Sequence, residues 1–172
     1  VAANTRRSQG FRAAASGGVV SIRMWVRKVG SPVDYLRLRI FRSTVQDATG
    51  LPSAASDAVL AGGQKFAGST LPLSPAAYVP VTITITTSTQ LVSGTYYQLV
   101  IDRALASGAD TPNDAVNYYE VGIDQVAPGY ADGRAGVFGG VSWAAEDAGG
   151  DGADHPFQII TDVFAALRIL AI

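Results

Sequence analysis

The sequence predicts an all-β protein, an antiparallel jelly-roll-like sandwich of about eight to ten short strands. Apolar and polar residues alternate with a period of two in several runs, most clearly in Val19–Arg27 and Val79–Thr86. Glycine, proline, serine, threonine and aspartate separate these runs, and the 172 residues include 19 glycines and 8 prolines. Such breaks limit each run to the length of a short strand, and none of the runs has a helical period.

One folded domain is expected. A chain of 172 residues removes roughly 70% of its unfolded surface from water, which is enough for a stable core. We expect a polar N-terminal arm over residues 1–8 and a single sandwich over residues 9–172.

The first third of the chain predicts three strands. A short strand over Gln9–Ala14 is followed by a turn at Ser16-Gly17-Gly18 and by the strong strand Val19–Arg27. Val29-Gly30-Ser31-Pro32 then predicts a turn into Asp34–Arg42, so that the two strong strands form a hairpin. The residues expected to face the core are Val20, Ile22, Met24, Val26, Leu36, Leu38 and Ile40.

Pro80 places the start of Val79–Thr86 at a sheet edge, because proline cannot donate to a strand ladder. Tyr96–Asp102 is largely apolar on both faces, which predicts a central strand. Arg134–Phe138 and Val141–Trp143 are expected to form a tight hairpin. Further strands are predicted at Ala58–Ala61, Gln64–Ala67, Asn117–Ile123, Pro156–Asp162 and Val163–Ala171.

The predicted strand Val163–Ala171 is apolar on both faces. A strand of this kind is expected to be covered on both faces, here by a loop or by another subunit.

The strongest indication of an interaction surface is the face that the two strong strands turn away from the core. Three interpretations are open for this face: stacking and hydrogen bonding to acidic glycans, a hot-spot patch for a protein neighbour, or arginine stems that merely cover the sheet. The seven candidate contact residues are Arg23, Trp25, Arg27, Tyr35, Arg37, Arg39 and Phe41.

Charge and composition argue against nucleic-acid binding, membrane insertion and disulfide bonds. Thirteen basic and fourteen acidic residues give a net charge of −1, so we expect no nucleic-acid binding. The longest apolar stretch, Val163–Ile172, is about half the length of a membrane-spanning helix, so we expect no membrane insertion. Cysteine is absent, which excludes disulfides. Many of the basic residues lie in the first third and most of the aspartates in the remainder. Two interpretations are open: copies of the chain pack together through opposite charges, or two separately solvated faces simply differ in charge.

Catalytic machinery is not expected. The one histidine, His155, precedes Pro156 in a predicted loop, and no nucleophile elbow accompanies it. A glycine- and aspartate-rich tract is a weak candidate for calcium, which prefers several oxygen ligands, although a solvated loop has the same composition. The candidate ligands are Asp147, Asp151 and Asp154, and no other cofactor is expected.

Several segments together resemble a jelly-roll family of accessory and structural domains found in phage structural proteins and in bacterial surface or secreted modular proteins. The most specific pieces are the Lys-Val-Gly-Ser-Pro turn and the Leu-x-x-Gly-Thr-Tyr-Tyr entry into a strand. The resembling segments are Gln9–Phe11, Arg27–Pro32, Tyr35–Arg42, Gly50–Ser53, Leu91–Tyr97, Asn117–Tyr119 and a glycine and aromatic region ending near Trp143.

The resemblance implies a non-enzymatic role in attachment, decoration or glycan contact. We therefore expect a structural or decoration component of an extracellular assembly such as a phage head or tail. Its expected partners are copies of itself and other virion or surface proteins. The alternative is a module that binds a cell-surface polysaccharide. The chain departs from the family pattern in its long polar loop before Pro112 and in the tract before His155.

Overall fold

The structure is a computed structural model that describes residues 6–42, 58–74, 76–86, 88–109, 116–122, 135–139, 143–145 and 155–162. Within these ranges the chain forms strands and one short 3-10 turn at Gly68–Thr70, and two antiparallel sheets pack face to face. The all-β sandwich is confirmed, and its jelly-roll connectivity stays a prediction. The strands are β1 (Arg6–Arg12), β2 (Gly17–Val29), β3 (Tyr35–Arg42), β4 (Ala58–Ala67), β5 (Val79–Thr84), β6 (Gln90–Leu91), β7 (Tyr96–Ala104), β8 (Tyr118–Val121), β9 (Ala135–Phe138), β10 (Trp143–Ala145) and β11 (Phe157–Asp162).

Sheet 1 has six strands in the order β10-β9-β1-β7-β3-β4. Strand β7 lies between β1 and β3, which confirms its predicted central position. Strands β9 and β10 pair antiparallel, as expected for the tight hairpin.

Sheet 2 is built around the long strand β2. Val26 pairs with both Val79 and Val121, so β5 and β8 lie on opposite edges of β2. Gly18 likewise pairs with both Gln90 and Asp162, which places β6 on one edge and β11 on the other. Strand β5 forms an outer edge of the sheet, in agreement with the position predicted from its proline.

The predicted hairpin between the two strong strands is wrong. Strand β2 belongs to sheet 2 and β3 to sheet 1, and residues 30–34 carry the chain from one sheet to the other. The glycine in this connection has φ +65°, which is the left-handed conformation that glycine adopts without strain. The turn was therefore correctly located, but it joins the two layers of the sandwich and not neighbouring strands.

A buried ion pair anchors this crossover. Asp34 accepts a hydrogen bond of 2.6 Å from Nε of Arg103, and both side chains are almost fully buried. The Tyr119 hydroxyl, which comes from sheet 2, donates to the Asp34 carbonyl at 2.6 Å. The crossover is thus tied to both sheets.

The core lies between the sheets and is closed by aliphatic and aromatic side chains, each of which contributes roughly 1.5–3 kcal/mol when fully buried. Sheet 1 contributes Phe11, Leu36, Leu38, Ile40, Tyr97, Leu99 and Ile101, and sheet 2 contributes Val19, Ile22, Met24, Val26, Val81, Ile83 and Tyr119.

Val20 was expected in the core and is instead 43% exposed, while Val19 is buried. The pairing of β2 with β11 skips a residue here, because Ile160 pairs with Ser21 and Thr161 with Val19. Such a β-bulge places two consecutive residues on the same side of the strand and reverses the alternation beyond it.

Several boundaries differ from the prediction. Strand β1 begins at Arg6, so residues 6–8, expected in the arm, pair within sheet 1. The two strands expected between residues 58 and 67 form one strand, and β6 was not predicted. The predicted strand Val163–Ala171 lies outside the described residues.

The bulge predicts a difference between two adjacent valines. Val19→Thr should lower the free energy of unfolding by roughly 1–3 kcal/mol, because it buries a hydroxyl in the core. Val20→Thr should change it by less than about 0.5 kcal/mol, because that side chain is exposed. Urea unfolding of both variants checks this, and a larger effect at Val20 than at Val19 would show that the bulge is absent.

Tyr119 predicts an alkaline effect on stability. Burial, and next the nearby Asp34 charge, raise the pKa of the Tyr119 phenol above its usual value. A phenol in the unfolded chain ionises near pH 10, so its contribution is intact below that pH and is lost as the pH rises further. Between about pH 9 and pH 11.5, Tyr119→Phe should therefore lose stability less steeply than the wild type in urea titrations. A slope for Tyr119→Phe equal to that of the wild type over this range would contradict the burial of the Tyr119 phenol.

Candidate functional site

The structure divides the seven predicted contact residues between opposite sides of the sandwich. We call the side of each sheet that faces away from the core its outer face. Arg23, Trp25 and Arg27 lie on the outer face of sheet 2, and Tyr35, Arg37, Arg39 and Phe41 lie on the outer face of sheet 1.

On sheet 1 the arginines surround a carboxylate. Asp102 accepts two hydrogen bonds from Arg37, at 2.8 and 2.7 Å, in the bidentate geometry that suits a guanidinium. Arg39 donates to the same carboxylate, and Nε of Arg6 lies 3.8 Å from it. Arg37 is 6% exposed and Asp102 is 3% exposed. The prediction that Arg37 is available for contact with a partner is therefore wrong.

Side chains around the same network also hydrogen-bond to the turn at residues 105–109, which follows β7. Arg37 donates a further hydrogen bond of 2.7 Å to the Gly108 carbonyl, and Lys65 donates to the Ala106 carbonyl. Lys65 also lies 5.9 Å from the centre of the Tyr35 ring. Tyr35 is thus packed beneath a cation of the neighbouring strand.

Much of the outer face of sheet 1 is closed to solvent. Gln98 and Val100 point away from the core on β7 and are nonetheless buried. Phe41 is partly buried and lies under Arg39, with 5.5 Å between the guanidinium and the ring centre. The residues of this face act mainly within the fold.

The outer face of sheet 2 is more open. Arg23 lies 5.5 Å from the centre of the Trp25 ring, within the range of a cation–π contact. The Trp25 side chain is partly buried. Trp25 pairs with Pro80 of β5 on one side, and on the other side its carbonyl accepts a hydrogen bond of 2.8 Å from the N–H of Gly122, just after β8.

Arg27, further along this face, is held by three contacts. Its Nε forms an ion pair with Glu120, and its Nη1 donates to the Ala76 carbonyl at 2.9 Å. Its guanidinium lies 4.3 Å from the centre of the Tyr78 ring. The hydrogen bond to Glu120 raises the pKa of Arg27, so this residue is a fixed positive element of the surface.

Sequence reasoning missed three residues of this face. Val20 is exposed through the bulge, and Ile160 and Asp162 are exposed on β11. The alternation within Pro156–Asp162 would have placed Ile160 and Asp162 on one side, but it could not show which strand they lie beside. Among the described residues, neither Arg23 nor Asp162 has an ion pair.

His155 is used in packing. It is 3% exposed, its backbone N–H donates to Oε1 of Gln9 at 2.7 Å, and its Nδ1 donates to the Gly122 carbonyl at 2.9 Å. These bonds fix the entry into β11 against β1 and against the end of β8.

The candidate calcium ligands Asp147, Asp151 and Asp154 lie outside the described residues. Within the described ranges, no three histidine or acidic side chains come together as a metal site would require. The same part of the chain holds no helix long and apolar enough to span a membrane.

Comparison of the chain with protein-family models, with curated proteins and with solved structures gives no match. The interpretation of the site therefore depends on its own geometry.

The Asp102 network predicts a large loss of stability on neutralising one carboxylate. Asp102→Asn should lower the free energy of unfolding by about 3–5 kcal/mol, because it leaves buried guanidinium groups without their counter-charge. Glu120→Gln makes the same chemical change at the more exposed ion pair with Arg27 and should cost less than about 1 kcal/mol. Equal effects of the two variants in urea unfolding would contradict the structural role of Asp102.

Proposed function

We propose that this chain is a non-enzymatic structural or decoration component of an extracellular assembly, of the kind that phage heads and tails contain. It acts by binding copies of itself and other proteins of the assembly. The outer face of sheet 2 is the contact surface.

The composition of that face carries the proposal. Trp25 and Arg23 lie together on it, and the aliphatic side chains of Val20 and Ile160 are 43% and 42% exposed. Protein interfaces are enriched in tryptophan and arginine, and their centres exclude water with apolar side chains. A polysaccharide surface offers much less for exposed valine and isoleucine side chains to pack against.

The remaining chemistry of the described residues supports a structural role. The histidine is hydrogen-bonded within the packing of the sandwich, and Asp34 and Asp102 are buried in ion pairs with arginines. All three residues are at most 5% exposed, so their side chains lie within the fold and are not exposed to a substrate.

The setting of a virion or cell surface is supported by the resemblance to the jelly-roll family of phage and bacterial surface proteins. The two-layer β architecture agrees with that family's fold class. On the proposed function, the sandwich serves as a rigid body whose outer face meets its neighbours.

Polysaccharide binding is the second candidate, and one feature of the same face favours it. Arg23 pairs with Gln158 on one side and with Thr82 on the other, and both of these polar side chains are exposed. Together with the neighbouring Trp25 ring, they offer a stacking surface flanked by hydrogen-bonding groups.

The assembly function predicts that Trp25 is needed for incorporation. Proteins encoded beside this chain's gene should be co-expressed with it, and the particle fraction should be separated by density-gradient centrifugation. The wild type should sediment with those proteins, and Trp25→Ala should bind at least about tenfold more weakly, as expected for an interface hot spot.

Trp143→Ala is the matched control, because it removes a tryptophan from sheet 1, where Trp143 packs on Phe138, and it should leave incorporation unchanged. The proposal fails if the wild type stays apart from its co-expressed neighbours. Retention of the purified protein on an acidic or neutral polysaccharide gel, lost in Trp25→Ala, would instead support the second candidate.

A further inference from the structure

The outer face of sheet 2 has an apolar centre formed by two strands. The bulge in β2 turns Val20 and Ser21 to the same side, and Ser21 pairs with Ile160 of β11. Val20 and Ile160 are consequently neighbours on this face, and each is more than two-fifths exposed.

Two opposite charges lie on either side of this centre. Arg23 follows Ser21 by two residues toward one end of β2, while Asp162 pairs with Gly18 toward the other end. The distance between these two positions along the strand is roughly 15 Å at about 3.3 Å per residue. A Cβ on Gly18 would lie 2.6 Å from Oδ1 of Asp162, so the glycine makes room for the carboxylate to lie across β2.

Asp162 is unusual among the acidic residues of the described chain. Asp34, Asp102 and Glu120 each hold an arginine in an ion pair, whereas Asp162 is exposed and has none within the described residues. Arg23 contacts the Trp25 ring and likewise has no acidic partner there. Arg23 and Asp162, neither of which has an ion pair among the described residues, therefore lie on one surface without reaching each other.

We infer that two copies of the chain pair through the outer faces of sheet 2, with Arg23 of each copy binding Asp162 of the other. An isologous contact requires a patch that is complementary to itself, so that residue i meets residue j and j meets i. A two-fold axis that runs across the strands at Val20 and Ile160 satisfies this condition. It stacks the apolar centres of the two copies and forms two equivalent ion pairs around them.

The partner is a second copy of the chain, because the outer face of sheet 2 presents both a base and an acid that can pair with the same two residues of another copy. An unrelated acidic partner would account for Arg23 but would be repelled by Asp162, and a basic partner would be repelled by Arg23. The placement of both charges on opposite sides of one apolar centre matches a second copy of the same face. This inference rests on the proposed function, since it names the partner at the same protein-binding surface.

The test is a charge exchange measured by sedimentation velocity at low salt. The wild type should dimerise, and Arg23→Asp or Asp162→Arg should each raise the dissociation constant at least about tenfold, because each replaces two attractions by two repulsions. The double variant Arg23→Asp with Asp162→Arg should return to within a few-fold of the wild type. Raising the salt should weaken the wild-type dimer, because exposed charges are screened.

Arg42→Asp makes the same charge change on exposed β3 of sheet 1 and should leave the dimer unchanged. A wild type that stays monomeric, or a dimer that the exchanges do not affect, would overturn the inference. Urea midpoints close to the wild type for all variants show that folding is not the cause. Incorporation with the co-expressed neighbours, tested separately, would survive failure of the dimer and so distinguishes it from failure of the proposed function.

Discussion

The buried ion pair between Asp34 and Arg103 determines where the chain changes layers. A charge removed from water is costly unless an opposite charge and hydrogen bonds replace the lost hydration. The Asp34 carboxylate gains the opposite charge from Arg103 of β7, which donates to Oδ2, while Oδ1 is buried without a hydrogen-bond partner among the described residues. The backbone carbonyl of Asp34 accepts a hydrogen bond from the Tyr119 hydroxyl of β8. Because these two partners belong to different sheets, the segment before β3 must lie between the layers. The separation of β2 from β3 follows from this position.

That separation gives the two outer faces different physical characters. The arginines of β3 lie beside Asp102 on the central strand of sheet 1 and are drawn into a buried network around it. Among the described residues, the arginines of β2 have no such central acid: Arg27 pairs with Glu120 at the strand end, and Arg23 lies over the Trp25 ring. Residues of the same type therefore stabilise the fold on one side of the sandwich and remain accessible on the other.

The charge distribution supports an associative role for the open face. The described residues carry eleven of the thirteen lysine and arginine residues but four of the fourteen acidic ones. The described strands are therefore predominantly basic. Asp34, Asp102 and Glu120 are each held by an arginine, whereas Asp162 has no ion pair among the described residues. A surface on which an acid and a base flank an apolar centre is suited to pairing with its own copy.

Local sequence located much of the fold. The predicted ends of four strands differ from the observed ends by no more than two residues: β3, β5, β7 and β11. The alternation also identified the central position of β7. Both results follow because strand periodicity and turn chemistry are local properties. It also brought Arg23, Trp25 and Arg27 to one face. It could not place Val20, since a bulge depends on how the neighbouring strand pairs and not on the residue itself.

The amino-acid sequence alone was sufficient to predict an all-β sandwich and, apart from the bulge at Val20, which residues of a strand share a side. The neighbours of each strand became known from the folded structure, because pairing between distant segments depends on packing and on buried charges such as Asp34 and Asp102. One predicted surface consequently became two, and Ile160 and Asp162, more than 130 residues from Val20 and Arg23, joined the face that remains open.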